Sequence, residues 1–229
     1  MREAIQKKID DKLLAEYEKS LLRERSGKYS PSLFGRCYRL QYWNRLNVPP
    51  TEKTDTLTLR KFKAGHLFHD FVQGLLPEHK HEVKVETDDI LGFADIVLPD
   101  EVVDIKSVHS KAFWYSQKKD YDVSKEKYTN ILQVCTYALL LGKTKASLMF
   151  ISKDDLCVDE YVFETDNWKV EVGNEIGFLK DIWDRKFEPE AKPKAYNGKE
   201  CQYCKFLTLC KETEVKHDRV HPYKEKEKK

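Results

Sequence analysis

Asp104 and Lys106 stand two apart in an apolar run, Val102-Val103-Asp104-Ile105-Lys106, and a preceding run, Phe93-Ala94-Asp95-Ile96-Val97-Leu98, carries Asp95. Pro99-Asp100 separates them with turn chemistry, so the two read as the strands of one hairpin. Side chains two apart on a strand share a face, so the Asp104 carboxylate and the Lys106 ammonium emerge together, while Val103 and Ile105 turn the other way into apolar packing. Charges inside so apolar a strand are costly without partners, which argues for a use. Carboxylates on neighbouring strands suit a hard divalent cation, and a lysine beside them suits a water to be polarised or positioned. These are the parts of a metal-assisted phosphodiester hydrolysis.

The elements around the hairpin follow from periodicity. Residues 3–24 place Ile5, Ile9, Leu13, Leu14, Tyr17, Leu21 and Leu22 near helical spacing and predict an amphipathic helix. After Ser26-Gly27, the run Ser30-Pro31-Ser32-Leu33 opens a second helix holding Phe34, Cys37, Tyr38 and Trp43 with Arg36, Arg39 and Arg45. A third, over 56–76, holds Gly65-His66-Leu67-Phe68-His69, and residues 82–87 alternate as a strand ahead of the hairpin. Residues 110–128 interleave Lys111, Lys118, Lys119, Lys125 and Lys127 with Phe113, Trp114, Tyr115 and Tyr121. They predict a loop or mobile element over the site. With the helix around 34–45 this segment would form a channel where bases stack and phosphates meet Lys111, Lys118, Lys119 and Lys125; a solvated loop is the alternative. A helix over 128–141 ends at Gly142, strands follow at 145–152 and 157–163, then a helix over 167–185 and a linker over 188–194. The order gives a mixed α/β core with helical flanks.

Four spacings, in this order along the chain, resemble the PD-(D/E)XK nuclease superfamily and its RecB-like branch: Gly65-x-x-x-His69, Gly92-x-x-Asp95, Asp104-x-Lys106 and Gln133-x-x-x-Tyr137. The literal Pro99-Asp100 is turn material in this alignment. The resemblance implies a restriction-endonuclease-like mixed sheet flanked by helices. It also implies Mn²⁺ or Mg²⁺ held by His69, Asp95, Asp104 and the Ile105 carbonyl, with Lys106 at the water and with Gln133 and Tyr137 against the substrate.

Cys201-x-x-Cys204 and Cys210 form a compact ligand loop that needs a fourth ligand to close. Zinc is the rival occupant, though a single CxxC and no well-placed histidine fit it less well. Cys135 and Cys157 lie in apolar runs and read as ordinary buried cysteines. A lone N-terminal cysteine with this C-terminal triplet resembles the iron–sulfur RecB-like nucleases, a group that includes CRISPR-associated exonucleases and phage nucleases. That resemblance implies a 4Fe–4S cluster joining Cys37 to Cys201, Cys204 and Cys210, chiefly structural in role.

The 229 residues hold 41 basic and 39 acidic side chains, a net charge of +2, so any basic surface must be local. A hydrophobic content of 40% is that of a globular chain, no run suits a membrane span, and the N-terminus is too charged for a signal peptide. The expected setting is a reducing cytoplasm, the host's if the chain is phage-encoded. The expected organisation is a helical region over 1–55 with the first cluster cysteine, a nuclease core over 56–187, a cluster-binding segment over 188–212 and a charged, disordered tail over 213–229. The expected activity is metal-dependent DNA hydrolysis, as an exonuclease on single strands or ends in phage recombination, repair or CRISPR adaptation. A broad-specificity endonuclease, or a subunit working beside an integrase-type partner, is the alternative.

Overall fold

The computed structural model describes residues 1–23 and 26–217, so all of the expected tail past 217 lies outside the described residues. Five strands form one sheet in chain order: β1 (Lys80–Glu86), β2 (Leu91–Val97), β3 (Glu101–Val108), β4 (Lys145–Ser152) and β5 (Val158–Glu164). Neighbours are antiparallel except β3 and β4, which run parallel. A parallel pair needs a crossover, and here it carries α4 (Ser110–Ser116), α5 (Val123–Glu126) and α6 (Tyr128–Leu140). This five-stranded mixed sheet with helical flanks fits a restriction-endonuclease-like fold.

Because β3 is central it is apolar on both faces. Val102 joins Ala146, Leu148 and Phe150 of β4 against α6, which supplies Ile131, Leu132, Val134, Cys135 and Ala138. Val103 and Ile105 face the other side with Ile96, Ile151 and Val72, the last from α3 (Thr56–Gly74). Each such large side chain contributes roughly 1.5–3 kcal/mol on burial, which fixes β3 between α3 and α6. Asp55 caps α3, accepting from Thr58 N at 2.6 Å. α7 (Lys169–Asp184) packs beside α6 through Val172 and Leu179. Among the described residues no helix is long and apolar enough to cross a membrane.

Several expectations need correction. The helix α1 (Arg2–Leu21) buries only Leu13; Ile5, Ile9, Leu21 and Leu22 are exposed, so its apolar spacing does not mark a buried stripe. It lies beside α3, where Asp10 pairs with Arg60 at 3.5 Å. The second helix is split: a 3₁₀ turn spans Pro31–Leu33, Gly35 takes φ +72°, and only α2 (Tyr38–Arg45) is α-helical. Gly35 is needed there, for a Cβ would also crowd Leu132, Thr129 and Tyr128 of α6 at 3.1–3.3 Å. Residues 110–128, expected as a loop or mobile cover, hold α4 and α5, because His109 and Asp122 cap the helices and Phe113 anchors α4 in the core. Cys157, expected in the core, is exposed just before β5. The last described helix, α8 (Leu207–His217), runs into the segment expected as a tail.

Candidate active site

The site forms where β2 and β3 part. Register pairing between them covers only Ile96 with Val103 and Val97 with Val102, whereas β3 pairs with β4 along all eight residues. Beyond Ile96 the Asp95 carboxylate takes over the ladder: its Oδ2 accepts from Ile105 N at 2.8 Å. The sheet is thereby wedged open by a side chain, and the wedge is itself a potential metal ligand.

From the α3 side His69 Nδ1 approaches Asp95 Oδ2 to 3.5 Å. Opposite Asp95, on β1, stands Glu82, and donor atoms of His69, Glu82 and Asp95 all lie within 4.8 Å of one another. Gln73 holds that corner, donating to Glu82 Oε1 at 3.3 Å and to the Asp95 carbonyl at 3.1 Å. Glu82 was not among the residues singled out from sequence. Its signal was its place in the alternating 82–87 strand, legible only once that strand is registered against Asp95; its φ of +47° marks the kink.

On the α6 side Asp104 is 2% exposed and Lys106 reaches solvent. Lys106 Nζ pairs with the buried Asp104 Oδ2 at 2.8 Å, and among the described residues no other group bonds this oxygen. A carboxylate oxygen held by one ammonium has lone-pair capacity for a further partner. Tyr137 is buried over Gly92, and its phenol oxygen is approached by the Phe93 N–H and by the Gln133 side chain one helical turn away.

Burial and the neighbouring Asp104 carboxylate push the Asp95 carboxyl up to about 7. Burial, then the Lys106 charge, pulls His69 below its ordinary value, leaving a neutral imidazole at neutral pH. Burial works against the Lys106 ammonium, but Asp104 and Asp95 outweigh it and the net direction is upward. Burial and Asp104 also hold the Tyr137 phenol protonated, far above its ordinary range. Two carboxylates crowded into one buried site beside a single ammonium and a neutral imidazole are a donor set suited to a divalent cation.

The basic residues sort differently from expectation. Lys111, Lys118, Lys119 and Lys125 are all exposed. Lys118 lies over the Tyr115 ring, and Lys125 pairs with Asp122 at 3.2 Å. Lys127, not among those four, has its charge depressed by burial and, more weakly, by Lys106, so it lies on the site side of the crossover. Arg39 and Arg45, read as channel residues, are buried: Arg39 donates to the Pro189 carbonyl at 2.8 Å, and Arg45 is held between Tyr29 and Trp183 and bonds Asp89. Their charge is spent inside the protein.

Cys37, Cys204 and Cys210 share one apolar pocket with Trp43, Phe206, Ile182 and Leu209. Burial raises the Cys204 thiol, and Cys37, Cys210 and Cys201 are each close enough to raise it further. Glu200, 1% exposed, ties the segment down by accepting from Arg36 Nε, Cys37 N, Lys194 N and Ala195 N.

Compared with known proteins, the chain matches no family model and no curated protein. Solved structures do match in fold. The crystal structure of SSO0001 aligns over 90% of this chain and 96% of its own, with a TM-score of 0.55 and 18% identity. An alkaline exonuclease, LHK-Exo from Laribacter hongkongensis, aligns over 87% of this chain and 99% of its own, with a TM-score of 0.54 and 11% identity. The chain shares its fold with a solved exonuclease. The same exonuclease in complex with dAMP aligns over 70% of this chain and 89% of its own, with a TM-score of 0.51 and 13% identity.

Proposed function

We propose that this chain is a divalent-metal-dependent deoxyribonuclease that removes nucleotides from DNA ends or single strands. The observation that carries the reading is the Asp95 wedge. It brings His69, Glu82 and Asp95 within 4.8 Å of one another on one side of the parted strands, with Asp104 and Lys106 beside them. The similarity in fold to LHK-Exo supports an exonuclease over other hydrolases.

The donor set fits a hard cation: two or three carboxylates, one neutral imidazole, and a buried Asp104 oxygen whose one partner among the described residues is Lys106. His69, Asp95, Asp104 and the Ile105 carbonyl, with Glu82, would hold Mg²⁺ or Mn²⁺. When bound, the ion supplies Lewis acidity at a phosphoryl oxygen and lowers the pKa of a coordinated water. The chain does the rest. Asp104 keeps Lys106 charged and aimed into the site, so its ammonium can orient the attacking water and meet the negative charge that builds on the phosphate. Gln133 and Tyr137 form a protonated, hydrogen-bonding wall on the opposite side, fit to contact phosphate or sugar oxygens.

A 4Fe–4S cluster on Cys37, Cys201, Cys204 and Cys210 accompanies this reading. What supports it is the convergence of the thiols: Cys37, Cys201 and Cys210 all lie within electrostatic reach of Cys204. By the family resemblance, the setting would be phage recombination, repair or CRISPR adaptation, and an integrase-type partner would belong to the last.

The test is cleavage of end-labelled linear DNA and circular single-stranded DNA with Mg²⁺ or Mn²⁺. Degradation of the linear substrate alone is expected, lost in Lys106→Ala while binding to DNA persists. Cleavage by Lys106→Ala at the parent rate overturns the mechanism, and opening of the circle replaces exonuclease with endonuclease.

A further inference from the structure

Of the three arginines in the segment 36–45, Arg36 alone keeps an outward reach, its side chain 17% exposed. Its Nε is fixed by the buried Glu200 carboxylate at 3.0 Å, while among the described residues its terminal Nη groups make no hydrogen bond. Beside it stands Tyr196, 56% exposed, with the Arg36 guanidinium 5.5 Å from its ring centroid and the Tyr203 ring edge-on at 5.8 Å. Tyr196 has φ +55°, a strained conformation for a bulky residue that persists only where its surroundings impose it. The surroundings here are the Glu200 bonds to Lys194 N and Ala195 N immediately before it. The phenol also lies within electrostatic reach of the Lys106 ammonium, which sets this exposed aromatic near the site.

An exposed, rigidly held aromatic with a guanidinium carrying unused donors is what a stacked base and its phosphate require. A pair inside a duplex offers its faces only to its neighbours in the stack, so away from a blunt end such a platform selects an unpaired nucleotide. We propose that Tyr196 stacks on an unpaired base of the strand entering the site, that Arg36 contacts the adjoining phosphate, and that Glu200 holds both in place. This rests on the nuclease reading for the identity of the strand, but it concerns binding and can be read without cleavage.

The experiment uses the full chain in divalent-free buffer with a short single-stranded oligonucleotide carrying 2-aminopurine at its terminal nucleotide, whose fluorescence falls on stacking. The parent and Tyr196→Phe are expected to quench the probe and to bind alike. Tyr196→Ala is expected to lose the quench and weaken Kd roughly tenfold, within the range of base–aromatic stacking, with its melting temperature and iron content unchanged. A fully paired duplex carrying the probe at an internal pair is expected to show no Tyr196-dependent quench. Equal quench and Kd in Tyr196→Ala, failure of the parent to bind the oligonucleotide, or equal quench with the duplex each overturns the stacking role. Absence of cleavage by the parent with Mg²⁺ or Mn²⁺, with the quench present, overturns the nuclease reading and leaves the stacking role standing.

Discussion

Gly92 lies directly beneath the phenol of Tyr137, so closely that a Cβ at position 92 would overlap the Tyr137 oxygen and the ring carbons next to it. The glycine of the Gly92-x-x-Asp95 spacing is therefore a steric requirement: β2 must pass under α6 for Asp95 to enter the seam with β3. Tyr137 is 3% exposed and packed within the core, so its ring has little room to swing aside. Gly92→Ala is expected to cost about 1–3 kcal/mol by overpacking and to lower cleavage by displacing Asp95. Urea denaturation and initial rates check this; parent-like values in both would show that the contact relaxes freely.

Glu82 should matter to metal affinity more than to folding, since it is exposed and reaches the cluster of donors from β1. Glu82→Gln is expected to weaken Mn²⁺ binding by roughly tenfold, within the range seen for supporting groups at metal sites. Titration calorimetry reads it, and unchanged affinity would remove Glu82 from the site.

The raised carboxyl of Asp95 makes a prediction about pH. Between the ordinary aspartate range and about 7, the native protein keeps a proton on Asp95 that the unfolded chain has released. Stability of the metal-free protein should therefore fall as pH rises from about 4 to about 7, and Asp95→Asn should remove that component of the slope. Denaturation of both proteins across this window checks it; identical slopes would place the carboxyl in the ordinary range.

Glu175 of α7 is a buried carboxylate that accepts from Gly35 N at 2.9 Å, Tyr38 Oη at 3.0 Å and Gln41 Nε2 at 3.0 Å. Removing it strands three donors. Glu175→Ala is expected to cost about 2–4 kcal/mol in stability, and Glu175→Gln less, because an acceptor remains. A loss below about 1 kcal/mol for the alanine variant would mean that water takes over its bonds.

Anaerobic preparation should give a brown protein with iron and labile sulfide. Cys204→Ser should lose most of both and melt at lower temperature, because the thiols join α2 to the segment before α8. A colourless protein with stoichiometric zinc would overturn the cluster.

The two apolar runs split by Pro99-Asp100 made the hairpin legible from sequence, and β2 and β3 form where those runs lie. The helix over 128–141 and the strands after it were legible too, whereas the parallel pairing of β3 with β4 was not. What stayed hidden depends on contacts far apart in sequence. Glu175 and Glu200 look like surface carboxylates until Gly35 and Cys37, 140 and 163 residues away, arrive to donate to them. Arg39 and Arg45 read as channel lining because a sequence does not reveal that Pro189 or Trp183 will enclose them. The lysines and aromatics of 110–128 suggested a loop or mobile element by composition, but caps at His109 and Asp122, with one anchoring Phe113, build helices there.

Glu200 also sets an order of events. The backbone at Cys37 and the side chain of Arg36 are synthesised early but bonded by a carboxylate that leaves the ribosome more than 160 residues later. Among the described residues that corner closes one of the longest loops in the polar network and so is among the last to settle. A nascent chain can therefore assemble β1 to β5, with every carboxylate of the site in place, while the mouth beside Lys106 is still unbuilt. Truncation of the last segment would leave a sheet with its acids and no doorway to them.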